Sequence, residues 1–205
     1  MEDEISCMIF AIQFVPRSGN KYFIAACDHS LKIFDLESRK EIAKFDDLYS
    51  CYCDDVLPVV CPSFINFPQE ESRLCTCYLL TRGVEDVNED GLAIEANKVI
   101  LHKLLPPEEP NGDWALLTER IFEDEHYYAN SYLCRLATNG LYVAAPTVTG
   151  SVFIWNLLSG LKTAVIKEPN AAEREVRDIL FHPSRNLLFI TGDDGIIRVY
   201  KSESL

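Results

Sequence analysis

The sequence predicts an all-β protein built from about four copies of one strand-and-turn unit. Three observations carry that expectation. Apolar residues come in short runs of about four to eight, many alternating with polar ones as half-buried strands do. Pro, Gly, Asp and Ser stand between the runs, where turns need them. The order of runs and turns also recurs along the chain, the mark of a repeat architecture.

The first copy covers about residues 6–47. An alternating run, 10–16, stops at Pro16; runs 22–27 and 31–35 flank a turn at 28–30, and 41–45 follows as a fourth strand. The second copy, 60–122, is the least regular. Runs 64–68 and 74–80 read as strands, an acidic insertion fills 82–97, and strand 98–104 is parted from strand 114–121 by a Pro-rich insertion at 106–113. The third copy, 130–167, has strands 132–136, 141–145, 150–156 and 161–166. In the fourth, 174–201, Arg174 begins an alternating strand stopped by His182-Pro183. An apolar strand, the turn Gly192-Asp193-Asp194-Gly195 and a strand through Tyr200 follow.

These units resemble the blades of the WD40-repeat β-propeller family, whose repeat runs roughly 40–45 residues. Trp155-Asn156 is similar to the name-giving Trp-Asp pair, Phe34-Asp35 stands in the same place, and Tyr200 takes the place of the Trp in the last blade. The resemblance implies that Asp28 and Asp194 are the structural turn aspartates of their blades, with Thr149 replacing that residue in the third. The family's buried His–Ser/Thr–Asp–Trp hydrogen-bond chain is therefore degraded, and the blades must lean more on apolar packing. The resemblance covers nearly the whole chain as a single partial propeller. A blade of this family has four strands, and the last one here has sequence for three before Leu205. An incomplete ring is the expectation, resembling the C-terminal blades of a larger propeller or completed by a second chain; the alternative is a compact four-bladed ring closed by the N-terminal residues.

At net charge −13, with 32 acidic against 19 basic residues, the chain repels phosphate backbones, so direct nucleic-acid binding is not expected. No apolar run nears the roughly 18 residues of a membrane-spanning helix, and the acidic start Met1-Glu2-Asp3-Glu4 is unlike a secretory leader. An intracellular protein, nuclear or cytoplasmic, is expected. The eight cysteines include the pairs Cys51/Cys53 and Cys75/Cys77 but lack zinc-type spacing, so they read as small apolar residues and no metal or other cofactor is expected. No nucleophile motif or phosphate-binding glycine loop occurs, the four histidines are scattered, and the acidic pairs Asp46-Asp47, Asp54-Asp55 and Asp193-Asp194 read mostly as solvated turns. The chain is expected not to be an enzyme.

On such a fold, function resides in the loops at one mouth of the ring, here 46–60, 82–97, 123–130, 146–150 and 167–175. Two of them combine tyrosines with carboxylates: Tyr49 and Tyr52 in one, Glu123, Glu125, Tyr127 and Tyr128 in the other. Tyrosine offers large contact area at low entropic cost, and carboxylates engage Lys or Arg. These six are candidate partner-binding residues; the alternative is that the tyrosines cover the ends of their own blades. The resemblance implies a non-catalytic interaction scaffold, a subunit of a multi-protein complex of chromatin, ubiquitin-ligase or RNA-processing type, with protein or basic-peptide partners. The position two residues past the Trp-Asp equivalent holds Glu37 or Leu158 rather than Arg, with Ser202 after Tyr200, which weighs against the ubiquitin-ligase receptors. A regulatory partner of a modifying enzyme, or a hydrolase with its site in the central channel, are the alternatives.

Overall fold

A computed structural model describes residues 7–59, 77–89, 93–109, 112–131, 134–167 and 175–201. Its described residues form strands and turns with no helix, in four antiparallel sheets, each a simple meander. Blade I comprises β1 (Ile9–Phe14), β2 (Tyr22–Cys27), β3 (Ser30–Asp35) and β4 (Lys40–Asp46). Blade II comprises β5 (Tyr52–Val59), β6 (Cys77–Val84), β7 (Lys98–Leu105) and β8 (Ala115–Glu123). Blade III has β9 (Ala137–Thr138), β10 (Tyr142–Pro146), β11 (Ser151–Asn156) and β12 (Lys162–Lys167). Blade IV has β13 (Val176–Phe181), β14 (Leu187–Gly192) and β15 (Ile197–Lys201). The fold is a four-bladed β-propeller arrangement with an incomplete ring.

The repeat is visible in the backbone itself. The third and fourth strands of blades I, II and III slip register at one equivalent step, between Ile33 and Phe34, Leu101 and His102, and Ile154 and Trp155. Such bulges raise the local twist that a blade needs. The Asp of the Trp-Asp position has a physical task as well. Asp35 Oδ1 accepts from the amides of Glu37 and Ser38 (2.8 and 3.4 Å), and Asn156 Oδ1 accepts from Leu158 and Ser159 (3.1 and 2.8 Å). Each side chain closes the turn into the outermost strand, as Asx turns do.

Three apolar clusters hold the arrangement, one at each blade junction. Ile24, Leu31 and Ile33 pack on Tyr49, Val56 and Leu79 between blades I and II. Leu101, Phe122 and Tyr127 meet Phe153 and Trp155 between II and III, and Ala144 and Val152 meet Ile179 and Ile190 between III and IV. The outward faces of blades I and IV differ: Ile12, Phe14, Leu180, Ile197 and Val199 are all more than half exposed. The ring is open between blade IV and blade I.

Several expectations change. Blade II begins at Tyr52, not at 60, and its inner strand is β5, inside the segment expected to be a loop. The expected strand 64–68 lies outside the described residues. Asp54 and Asp55 disguised β5, because two adjacent acids break an apolar alternation. Neither is a solvated turn residue: both are buried, Asp54 against Arg82 and Asp55 accepting from the Leu136 amide (2.7 Å). β6 likewise runs on through Arg82 to Val84, so the acidic insertion starts later than expected. The inner strand of blade III is only Ala137–Thr138, short of the expected 132–136. Its preceding backbone is engaged elsewhere, with the Arg135 amide donating to the Arg177 carbonyl (3.3 Å) and Cys134 to Ser131 (3.3 Å).

Candidate functional site

In a meander blade the turn between second and third strands and the link to the next blade emerge at the same end. Here those connections are stitched together across blades. Asp28 bridges to Tyr52, the Val148 amide donates to the Tyr128 carbonyl (3.1 Å), and Asp193 donates to Glu175 (3.2 Å). Strands therefore hold one loop-bearing end as a single surface.

The six candidate residues divide by exposure. Tyr127 is fully buried, edge-on to Phe153 and Trp155 with centroids 5.4 and 5.3 Å away. Tyr49 is buried as well, its ring lying on Gly83, where an added Cβ would fall 2.1 Å from a ring carbon. Tyr52 is half-buried and stacked on Phe10 at 4.8 Å. Glu123, Glu125 and Tyr128 are exposed on the link from blade II to blade III. Burial leaves the Tyr127 ring little surface to offer, whereas Tyr49, with Gly83 against its ring, also borders a pocket. Of the turn aspartates, Asp194 accepts from the Ile196 amide (3.1 Å) and pairs with Arg198. Asp28 Oδ1 is buried with no hydrogen bond.

Beside Tyr49 lies a pocket of about 410 Å³ between the β4–β5 link and the β6–β7 insertion. Asp47, Glu85, Asp86 and Glu95 contribute four carboxylates to its wall, against one ammonium, Lys98. Its floor is built rather than draped. Glu85 Oε2 accepts from the Ser50 amide (3.1 Å) and hydroxyl (2.6 Å), and the Ser50 hydroxyl oxygen accepts from the Asp86 amide (2.8 Å). Behind it, Asn130 Oδ1 accepts from Glu85 N (3.1 Å) and from the buried Asn97 Nδ2 (2.5 Å), while Asn130 Nδ2 donates to the Glu85 carbonyl (2.9 Å). Asn97 Oδ1 accepts from the Ala129 amide (2.6 Å), tying the floor to the next blade link.

Two buried polar constellations underlie this end. Tyr49 Oη lies 2.9 Å from Thr81 Oγ1, which lies 3.0 Å from His102 Nε2. This hydrogen-bonded chain joins the β4–β5 link to the second and third strands of blade II. Burial pushes His102 down to about 4, so it is neutral. Between blades II and III, fully buried Arg82 pairs with Asp54 and donates to the carbonyls of Ala129 (3.1 Å) and Ser131 (2.7 Å). Burial pushes the Asp54 carboxyl up to about 7, with Arg82 pulling it back, and the Asp54 charge in turn holds the guanidinium above its usual range.

Sequence reasoning missed Glu85, Lys98, Arg82, Asp54 and the Tyr49–Thr81–His102 chain. The one usable signal was an arginine within an otherwise apolar β6, which a buried partner must satisfy. The cysteines Cys27, Cys53, Cys77 and Cys134 are buried, Cys53 and Cys77 within the apolar cluster between blades I and II.

Residues 164–201 match the WD domain, G-beta repeat family, a span from β12 through β15. The β-propeller domain of Cps50 (Swd1) from Myceliophteria thermophila superposes with a TM-score of 0.68 at 19% identity, over 96% of this chain and 52% of that one. The likeness establishes the propeller fold, and the chain spans about half the length of that propeller. No curated protein matches the sequence.

Proposed function

We propose that this chain is a non-catalytic interaction scaffold, a subunit offering other proteins the loop-bearing end of its blades. The observation that carries this is the acid-lined pocket, whose walls are fixed by hydrogen bonds to strands and so lose little entropy on binding. Net charge −13 favours basic protein surfaces as partners over nucleic acid. Exposed Glu123, Glu125 and Tyr128 on the neighbouring link extend the same surface. The assembly is of the multi-protein kind, nuclear or cytoplasmic, in which chromatin, ubiquitin-ligase and RNA-processing subunits occur. A second chain, or further blades, covers the open faces of blades I and IV.

Cross-linking mass spectrometry on the protein isolated with its native partners tests this, using amine- and carboxyl-reactive reagents. Partner cross-links at Lys98, Glu95 and Glu125 are expected. Cross-links confined to the opposite turns, around Lys21, Glu37 and Leu161, would sink the reading.

A further inference from the structure

The pocket has a chemical preference that its hydrogen bonds reveal. Glu85 is only 6% exposed, yet its two oxygens are treated unequally. Oε2 takes two hydrogen bonds from Ser50, while Oε1 is buried and takes none. A carboxylate oxygen out of water with no donor is costly unless a donor arrives. Oε1 has instead an ion pair with Lys98, whose Nζ lies 3.4 Å away and 5.9 Å from the centre of the Tyr49 ring. The chain's own ammonium thus lies close to both an aromatic ring and a buried carboxylate oxygen, without a hydrogen bond to the latter. Asp47, Asp86 and Glu95 leave the wall three negative charges in excess once Lys98 is counted against Glu85.

We propose that this pocket is a binding site for a cationic side chain, arginine in particular, from a partner polypeptide; it rests on the scaffold reading. A guanidinium supplies N–H donors in a planar fork, one for Glu85 Oε1 and others for the Asp86 and Glu95 carboxylates at the rim. Its flat face can lie near the Tyr49 ring, where Lys98 now sits, so the ligand displaces Lys98 outward to solvent, where its side chain is already one-third exposed.

The test is a titration of the ¹⁵N-labelled full chain with Nα-acetyl-arginine amide, followed through its amide resonances. Nα-acetyl-citrulline amide, neutral and of nearly the same shape, is the control. Saturable shifts at Ser50, Asp86 and Lys98 with arginine and not with citrulline are expected. Glu85→Gln weakens binding at least about tenfold, and Asp86→Asn, an exposed change that leaves the floor intact, weakens it about threefold. Lys98→Ala tightens binding severalfold by removing the competing ammonium; a merely structural or anion-binding lysine would have no such effect. Pocket resonances silent to arginine, or equal response to citrulline, overturn the proposal. If they are silent while partner cross-links still map to this end, only the arginine pocket fails. If arginine binds but no protein cross-links there, the pocket stands and the scaffold reading fails.

Discussion

Blades II and IV are made of similar strands, yet they live in different surroundings. In blade II, β7 reads Lys-Val-Ile-Leu-His-Lys-Leu-Leu and has Val99, Ile100, Leu101, His102 and Leu104 buried, because blades I and III cover both of its faces. In blade IV, β15 reads Ile-Arg-Val-Tyr-Lys and leaves Ile197 and Val199 exposed, because only blade III covers it. Apolar alternation is nearly as strong in β15 as in β7. The difference lies in neighbours, which teaches that a blade is one layer of a stack and cannot bury itself. Polar chemistry follows the same division: blade II holds a buried ion pair and a buried histidine, whereas the Arg177–Asp193 pair of blade IV stands in solvent.

The sharpest way to break this contrast is to remove Arg82. Arg82→Met leaves Asp54 buried without its cation and should cost about 3 kcal/mol in urea unfolding, while Asp193→Ala, which removes the solvent-facing Arg177–Asp193 pair of blade IV, should cost far less. Equal costs would mean that the two blades are not differently enclosed. Close behind comes Gly83→Ala, whose methyl would fall 2.1 Å from the Tyr49 ring; about 2–3 kcal/mol of overpacking strain is expected by thermal denaturation. An alanine at Gly112, whose methyl would fall 3.2 Å from the Pro107 side chain, gives a milder case for comparison.

The pH dependence sharpens the contrast further. His102 is held down to about 4 by burial, whereas an unfolded histidine titrates near ~6.5. The unfolded chain takes up the proton first, so this group's contribution is fully present above pH ~6.5 and declines as pH falls toward 4. About 2 kcal/mol should be lost by pH ~5, and His102→Gln should remove that part of the slope. The smallest effect belongs to the open face. Ile197→Ser should change stability by less than about 0.5 kcal/mol in the isolated chain. A larger loss would show that something covers β15 in solution.

Much of this molecule was legible before any coordinates. Period-two alternation is a property of a single strand, so β2, β3, β7, β10, β11, β14 and β15 fall close to the expected runs. Asp35 and Asn156 stood out by their resemblance to the Trp-Asp pair, and the turn each closes spans only three residues. Four copies of such a unit predict blades and a core between them, with no information from afar.

What lay beyond the sequence shares one physical character: it pairs groups distant along the chain. β5 was hidden because Asp54 and Asp55 look like a turn until Arg82 and the Leu136 amide arrive to satisfy them. Tyr127 reads as a loop tyrosine in the sequence, and only the stacked sheets bury it edge-on against Trp155. The pocket joins Ser50 to Glu85 and Glu85 to Asn130, separations no local pattern encodes. Hydrophobic alternation is written residue by residue and survives in the sequence. Burial of charge, and hence the site, is decided only when the sheets stack, because a buried ion is tolerable only where its partner already waits.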